Sequence, residues 1–482
     1  MIFPPLPDQA LAELGAAGGG PATLALLVRD QDSRRLLLLR AVLEAADASM
    51  ECPPAARQRL HEDWALLEEA EALGAPGVAP HRSPVRVALC RPLLGPWARR
   101  CLQGLAPADS AADPERRRRE LAEDLAHFSA LVAAAAVRAG VPFAVRLTAH
   151  GGTLVLPSLG ALRTGRPGPL RVDAVHRHGR LTLRRPGEPD VCVVPEDGGG
   201  AWSDARAWTP AYALPGLRPD DPPLPLEDLD PYRAAHGDPQ CYGLTGPATL
   251  DDGERKHWLQ AWSGTAAALR LGGERRLTEA ATLLRCLVPL AMPDRASDDD
   301  RARGSCSATR REAFGAVLSS TPPDATRLAA TLVHELHHAK LAVVSEMVPL
   351  HHADGRARYF APWRPDPRPY DGLLQGAYAH LALADFHQHR ALDGTDRTRL
   401  DADWSQFARY HAQVGAALPA LVGSAELTPP GRKFVECLVE AHARMGEHPA
   451  PRTHAVRARE YVSAARRLWA QRLPGDPRAP LA

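Results

Sequence analysis

Lysine is almost missing from this chain. Only Lys256, Lys340 and Lys433 occur, so arginine supplies nearly all of the 58 basic side chains. Set against 57 acidic ones, they leave a net charge of +1, and no bulk field favours nucleic acid or an anionic membrane. Alanine, proline and glycine are abundant, and with the arginine they indicate a coding bias. The run Arg116 to Arg119, inside PERRRRELAEDLAHF, therefore reads as a solvated helix face rather than a nucleic-acid site. Cysteine is sparse. The eight residues form no C-x-x-C pair, which fits free thiols in a reducing compartment better than a disulfide framework. The start, MIFPPLPDQALAEL, lacks a basic region with an apolar stretch behind it, so no secretory signal is expected. The alanine-rich run SALVAAAAV is too short to span a bilayer. These absences point to a cytoplasmic protein with no membrane and no nucleic-acid partner, and they weigh against a secreted protease.

What is present suggests an α+β, predominantly helical fold, and the length suggests about three domains. Residues 1–139 carry apolar positions three and four apart and read as a helical N-terminal region. Residues 140–215 alternate apolar with polar in FAVRLTA, GTLVLP and DVCVVP, predicting a small central β-sheet with a hairpin at HRHG. Residues 216–252 are dense in Pro and Asp and read as a linker. Residues 253–482 form a mainly helical region, with a polar loop at SDDDRARG and an edge strand at AFGAVLSS.

Residues 331–344 read TLVHELHHAKLAVV and contain H-E-x-x-H. Asp324 can cap a helix that starts after two prolines. His334 and His338 then stand one turn apart on one face, so both imidazoles can reach one metal ion, with Glu335 beside a bound water. A zinc peptidase needs a third ligand, and the usual sources are missing. Val344 and Leu341 occupy the places of the His and Gly used by one large class. No glutamate lies between Met347 and Ala425, and Glu346 is about 12 Å up the same helix. Downstream, YDGLLQGAYAHLALADFHQHR predicts an apolar helix whose inward face includes His380. His380 is the favoured third ligand and Asp385 the alternative, with His389 expected at a frayed end. Such an open site suits non-haem iron(II) at least as well as zinc.

Between the two helices, RYFAPWRPDPRP is a rigid proline strip anchored by Tyr359, Phe360 and Trp363. Its arginines, Arg364 and Arg368, flank Asp366. They read either as a structural loop paired to that aspartate or as a clamp for a carboxylate ligand.

The series LAATLVHELHHAKL and RYFAPWRPDPRPYDGLLQGAYAHLALADF resembles the bacterial HExxH-motif peptide-modification family found beside ribosomally made precursor peptides. RRLLLLRAVLEA, EAFGAVLSS and LTPPGRKFV extend the resemblance over most of the chain. It implies 2-oxoglutarate- and iron-dependent β-hydroxylation of a peptide side chain. Iron(II) would be held by His334, His338 and His380, with Glu335 orienting a ligand or water. The distal carboxylate of 2-oxoglutarate would lie on Arg364 or Arg368, or failing those on Arg310 or Arg311. Dioxygen and a precursor peptide would be the other partners, the peptide pairing with the expected edge strand. Two other readings stay open: a cytoplasmic zinc peptidase with Glu335 as general base, and a peptide-binding scaffold with a structural metal.

Overall fold

A computed structural model of the chain describes residues 6–73, 83–107, 113–197, 199–234, 246–291 and 306–472. The fold is α+β and mostly helical. The polar loop expected at SDDDRARG lies outside the described residues, as does part of the expected linker. Among the described residues no helix is long and apolar enough to cross a membrane.

The chain divides into two compact units built from interleaved segments, a different partition from the contiguous one read from composition. One comprises residues 31–256 and 285–321. Its β-rich part begins where expected. Strands Phe143–Ala149, Leu170–Arg177, Arg180–Arg184, Val191–Pro195 and Ala201–Trp202 form an antiparallel sheet, with the first paired to the second. The predicted hairpin is there. His178 and Gly179 both take positive φ, 52° and 70°, the primed turn that matches strand twist. A second five-stranded sheet corrects two expectations. Leu224–Leu226, from the supposed linker, is one of its strands. Ala316–Ser320, the supposed edge strand, lies inside it, parallel to Cys286–Leu290 and flanked by Ser307–Ala308. All five of its residues are buried, and with a neighbour on each side it is an interior strand among the described residues.

The other unit comprises residues 1–30, 257–284 and 322–482 and is all-helical apart from isolated bridges. Its central element is Ala325–Met347, here called the motif helix. The Asp324 side chain accepts from the Arg327 amide at 2.9 Å, as expected of the cap, a bond worth about 1 kcal/mol. Pro349 follows the last turn, where the helix cannot continue. Leu328, Leu332, Leu336 and Leu341 are buried along it. The next helix, Tyr370–Asp393, packs against the motif helix and carries His380. Tyr359 and Arg368 exchange two backbone hydrogen bonds of 2.9 Å, closing the proline strip between the helices into a tight loop.

Candidate metal site

His334 and His338 meet as the spacing predicts. Their Nε2 atoms are 3.1 Å apart and their rings are nearly perpendicular. Metal–nitrogen bonds of about 2.1 Å at a right angle put two ligand nitrogens about 3.0 Å apart, so this pair already stands at ligand spacing. The His338 Nδ1 faces the Gln375 Oε1 at 3.1 Å. An amide oxygen there accepts a hydrogen bond from the Nδ1–H and leaves Nε2 with its lone pair, the tautomer that ligates.

His380 comes in from the neighbouring helix, buried. Its ring centroid is 5.7 Å from that of His334. Two imidazoles on one ion can stand at most about 6.4 Å apart, so the third ring is within span. Its Nδ1 is buried and has no hydrogen-bond partner. As they stand, however, no three His, Cys, Asp or Glu side chains among the described residues form a ready metal-holding group. The motif pair is set at ligand distance, and His380 is adjacent to it rather than gathered with it.

Burial keeps His334 and His380 unprotonated. Burial, followed by the neighbouring His338, His380 and His337, drives His334 well below the ordinary histidine range. Burial, with His338 and Arg409 adding, takes His380 down to about 3. A neutral imidazole is the form a metal takes. Glu335 is buried, with Oε1 4.0 Å from the His334 Nε2, near enough to act on anything bound there.

The other candidates separate clearly. The Asp385 Oδ2 accepts from the Arg276 Nη2 at 2.6 Å and also from Arg275. Burial pushes its carboxyl up, but Arg276 and Arg275 outweigh that and hold it at about 2. Asp385 therefore belongs to an ion-pair network, which leaves His380 as the third ligand candidate. His387 is likewise engaged, with Nδ1 2.7 Å from the Asp403 Oδ1. His389 lies inside the helix rather than at a frayed end, packed where Gly272 gives it room.

Of the arginines, Arg364 is exposed, its Nε 3.4 Å from the Asp366 Oδ1. Arg368 is half-buried. Its Nη1 is 3.7 Å from Asp366, and its Nε is buried without a hydrogen-bond partner. A Cβ on Gly372 would stand 3.1 Å from that Nε, so the guanidinium lies against the first turn of the His380 helix. That is three residues, about 4.5 Å of rise, before Gln375.

Sequence reasoning missed several neighbours. Trp363 was expected to anchor the strip. It does more: its ring stands edge-on to His380, with centroids 4.7 Å apart, and a Cβ on Gly376 would meet its Cζ2 at 2.3 Å. Tyr410 flanks His380 at 5.1 Å, on the helix Arg397–Leu421 that also carries Arg409. The Arg409 guanidinium lies 4.7 Å over the Tyr461 ring. Behind the motif helix, His337 and the fully buried Lys340 join a charged cluster. Lys340 donates to the Gly18 carbonyl at 2.9 Å and to Glu279 at 3.0 Å, and Arg276 donates to the Ala17 carbonyl at 3.0 Å. This cluster fixes the rotation of the helix and hence the side to which His334 and His338 point.

The chain matches no protein-family model and no curated protein.

Proposed function

We propose that this chain is a non-haem iron(II), 2-oxoglutarate-dependent dioxygenase that hydroxylates a β-carbon in a ribosomally synthesised precursor peptide. On this reading it belongs with the HExxH-motif peptide-modification proteins its sequence resembles. The observation that carries the proposal is the approach of a buried, neutral His380 with an unpartnered nitrogen to the His334–His338 pair. Three protein ligands leave half of an octahedral sphere open, which a bidentate cosubstrate and dioxygen require.

His334, His338 and His380 would hold the ion. When bound, iron(II) with 2-oxoglutarate and dioxygen supplies the oxidising chemistry, and the protein supplies placement. Gln375 fixes the tautomer of His338. Glu335 orients a ligand or water beside His334. Trp363 and Tyr410 shield the His380 ring from water. For the distal carboxylate, Arg368 is favoured over Arg364 because its Nε has no partner of its own. Arg409, an electrostatic neighbour of His380, is a third candidate.

The closeness of Glu335 to the His334 Nε2 also suits a zinc peptidase, in which that carboxylate would activate water. One experiment separates the readings. The chain, purified without oxygen, is incubated with iron(II), 2-oxoglutarate and the precursor peptide encoded beside it. A gain of one oxygen atom in the peptide, matched by succinate, is expected. Shorter fragments formed without cosubstrate would favour the peptidase. Intact peptide, with folding lost on chelation, would favour a structural metal.

A further inference from the structure

The helix Arg452–Arg472 holds no member of the histidine site, yet its charge is one-sided. It carries six arginines against one acidic residue, Glu460, in a chain whose charges otherwise nearly cancel. Arg452, Arg459 and Arg466 are exposed and stand seven apart. Seven residues make nearly two whole turns, so the three form a row on one face, about 10 Å between neighbours and about 21 Å in all. Arg452 and Arg459 have no carboxylate partner among the described residues, and Arg459 donates its Nε to the Ala455 carbonyl at 3.2 Å. A row of like charge that its own chain leaves unneutralised attracts an external anionic segment.

The row ends at the wall of the histidine site. The Arg466 guanidinium lies 5.0 Å over the Phe360 ring, and Trp469 of the same helix stands edge-on to that ring at 5.5 Å. Phe360 belongs to the proline strip whose Trp363 stands against His380. All these residues lie in the unit of residues 1–30, 257–284 and 322–482. A chain bound along the row is therefore led to the strip.

The chemistry of the helix selects among anionic partners. Its exposed apolar residues make no continuous stripe for lipid: Val456 lies about 120° around the axis from Leu468, and Tyr461 sits under the Arg409 guanidinium. A long nucleic acid would find no supporting field in a chain of net charge +1. An extended peptide advances about 3.4 Å per residue, so carboxylates three residues apart meet successive arginines. We infer that the row Arg452, Arg459 and Arg466 is a docking face for an acidic, extended segment of the peptide substrate. This rests on the peptide-hydroxylase reading, which supplies the peptide.

The test follows the anisotropy of fluorescein-labelled octaglutamate titrated with the full, metal-free chain in about 0.1 M salt, where charges more than about 10 Å away are screened. Saturable binding is expected. Arg452→Glu with Arg459→Glu is expected to weaken it about tenfold, because two exposed attractions become repulsions. Glutamine at both positions is expected to weaken it in the same direction by less. Arg118→Glu with Arg119→Glu makes the same change in net charge at exposed positions of another helix and is expected to leave affinity unchanged. Binding that does not saturate, or equal losses in the two charge-reversed variants, would overturn the face. Tighter binding of octathymidylate or of phosphatidylserine vesicles would overturn the peptide as its partner. Row-dependent binding of octaglutamate beside a failure to hydroxylate the precursor would strike the hydroxylase reading and leave the face standing. Hydroxylation with an unchanged KM in the Arg452→Glu, Arg459→Glu chain would strike the face alone.

Discussion

Replacing Gln375 with leucine tests the histidine site through a residue that would not itself touch the metal. The 3.1 Å contact from the His338 Nδ1 to the Gln375 Oε1 fixes both the tautomer and the ring plane of His338. Leucine has similar bulk and cannot accept. Loss of such an outer partner typically lowers metal affinity by about 10–100-fold, or about 1.4–2.7 kcal/mol. The loss in folding stability is smaller, about 1 kcal/mol for one hydrogen bond. The assay is anaerobic competition for iron(II) against a chromogenic chelator, with urea unfolding of the metal-free protein alongside. Gln388→Leu is the control. Gln388 donates to the carbonyls of Met445 and His448 at 2.7 and 2.8 Å, so its loss should weaken folding and spare iron affinity. If Gln375→Leu held iron within twofold of the parent, or if both variants lost affinity equally, the tautomer argument would fail.

Three further predictions concern the surroundings of His380. Gly376→Ala should drive a methyl into the Trp363 ring, costing about 1–3 kcal/mol of overpacking against about 1 kcal/mol of helix propensity. It should also weaken iron binding, and adding Trp363→Phe should recover stability; no recovery in urea midpoint would show that the clash is not with the indole. Asp385→Asn should destabilise by about 1–3 kcal/mol, because the buried Arg276 loses one of its two carboxylates and keeps Glu279, yet leave iron stoichiometry intact. Loss of iron from a folded Asp385→Asn variant would restore Asp385 as a ligand. The third concerns pH. The folded His380 stays neutral down to about 3, whereas an unfolded histidine protonates near 6.5. The unfolded chain binds more protons in that window, so the stability of the metal-free protein should fall as pH drops from about 6.5 toward 3. The depressed Asp385 adds a loss of its own only below about 4. Urea midpoints at pH 7 and pH 5 should differ less in His380→Ala than in the parent; identical differences would contradict the assignment.

Much of the site was legible because its signals are local. The Asp324 cap, the leucine spacing and the one-turn separation of His334 and His338 are set within a few residues, and the helix follows them. His380 could be placed on an inward face for the same reason. Gln375 could not, because its partner lies 37 residues away and an isolated glutamine carries no pattern. Asp385 stayed ambiguous in the sequence because only packing brings Arg275 and Arg276 to it. The strand Ala316–Ser320 was misplaced at an edge because periodicity cannot tell which neighbours a strand has; its unbroken burial follows from parallel pairing with Cys286–Leu290. The interleaved units were equally hidden. The carbonyls of Ala17 and Gly18 in a turn near the N-terminus accept from Arg276 and Lys340, joining segments far apart in sequence.

The central claim is that imidazoles from two successive helices share one redox-active ion. Diffraction at the iron absorption edge, from crystals loaded with iron(II) without oxygen, tests it directly. A single anomalous peak within about 2.2 Å of a nitrogen of His334, of His338 and of His380 is predicted. A peak held by the motif pair with residue 380 remote, or a peak elsewhere in the chain, would contradict the account.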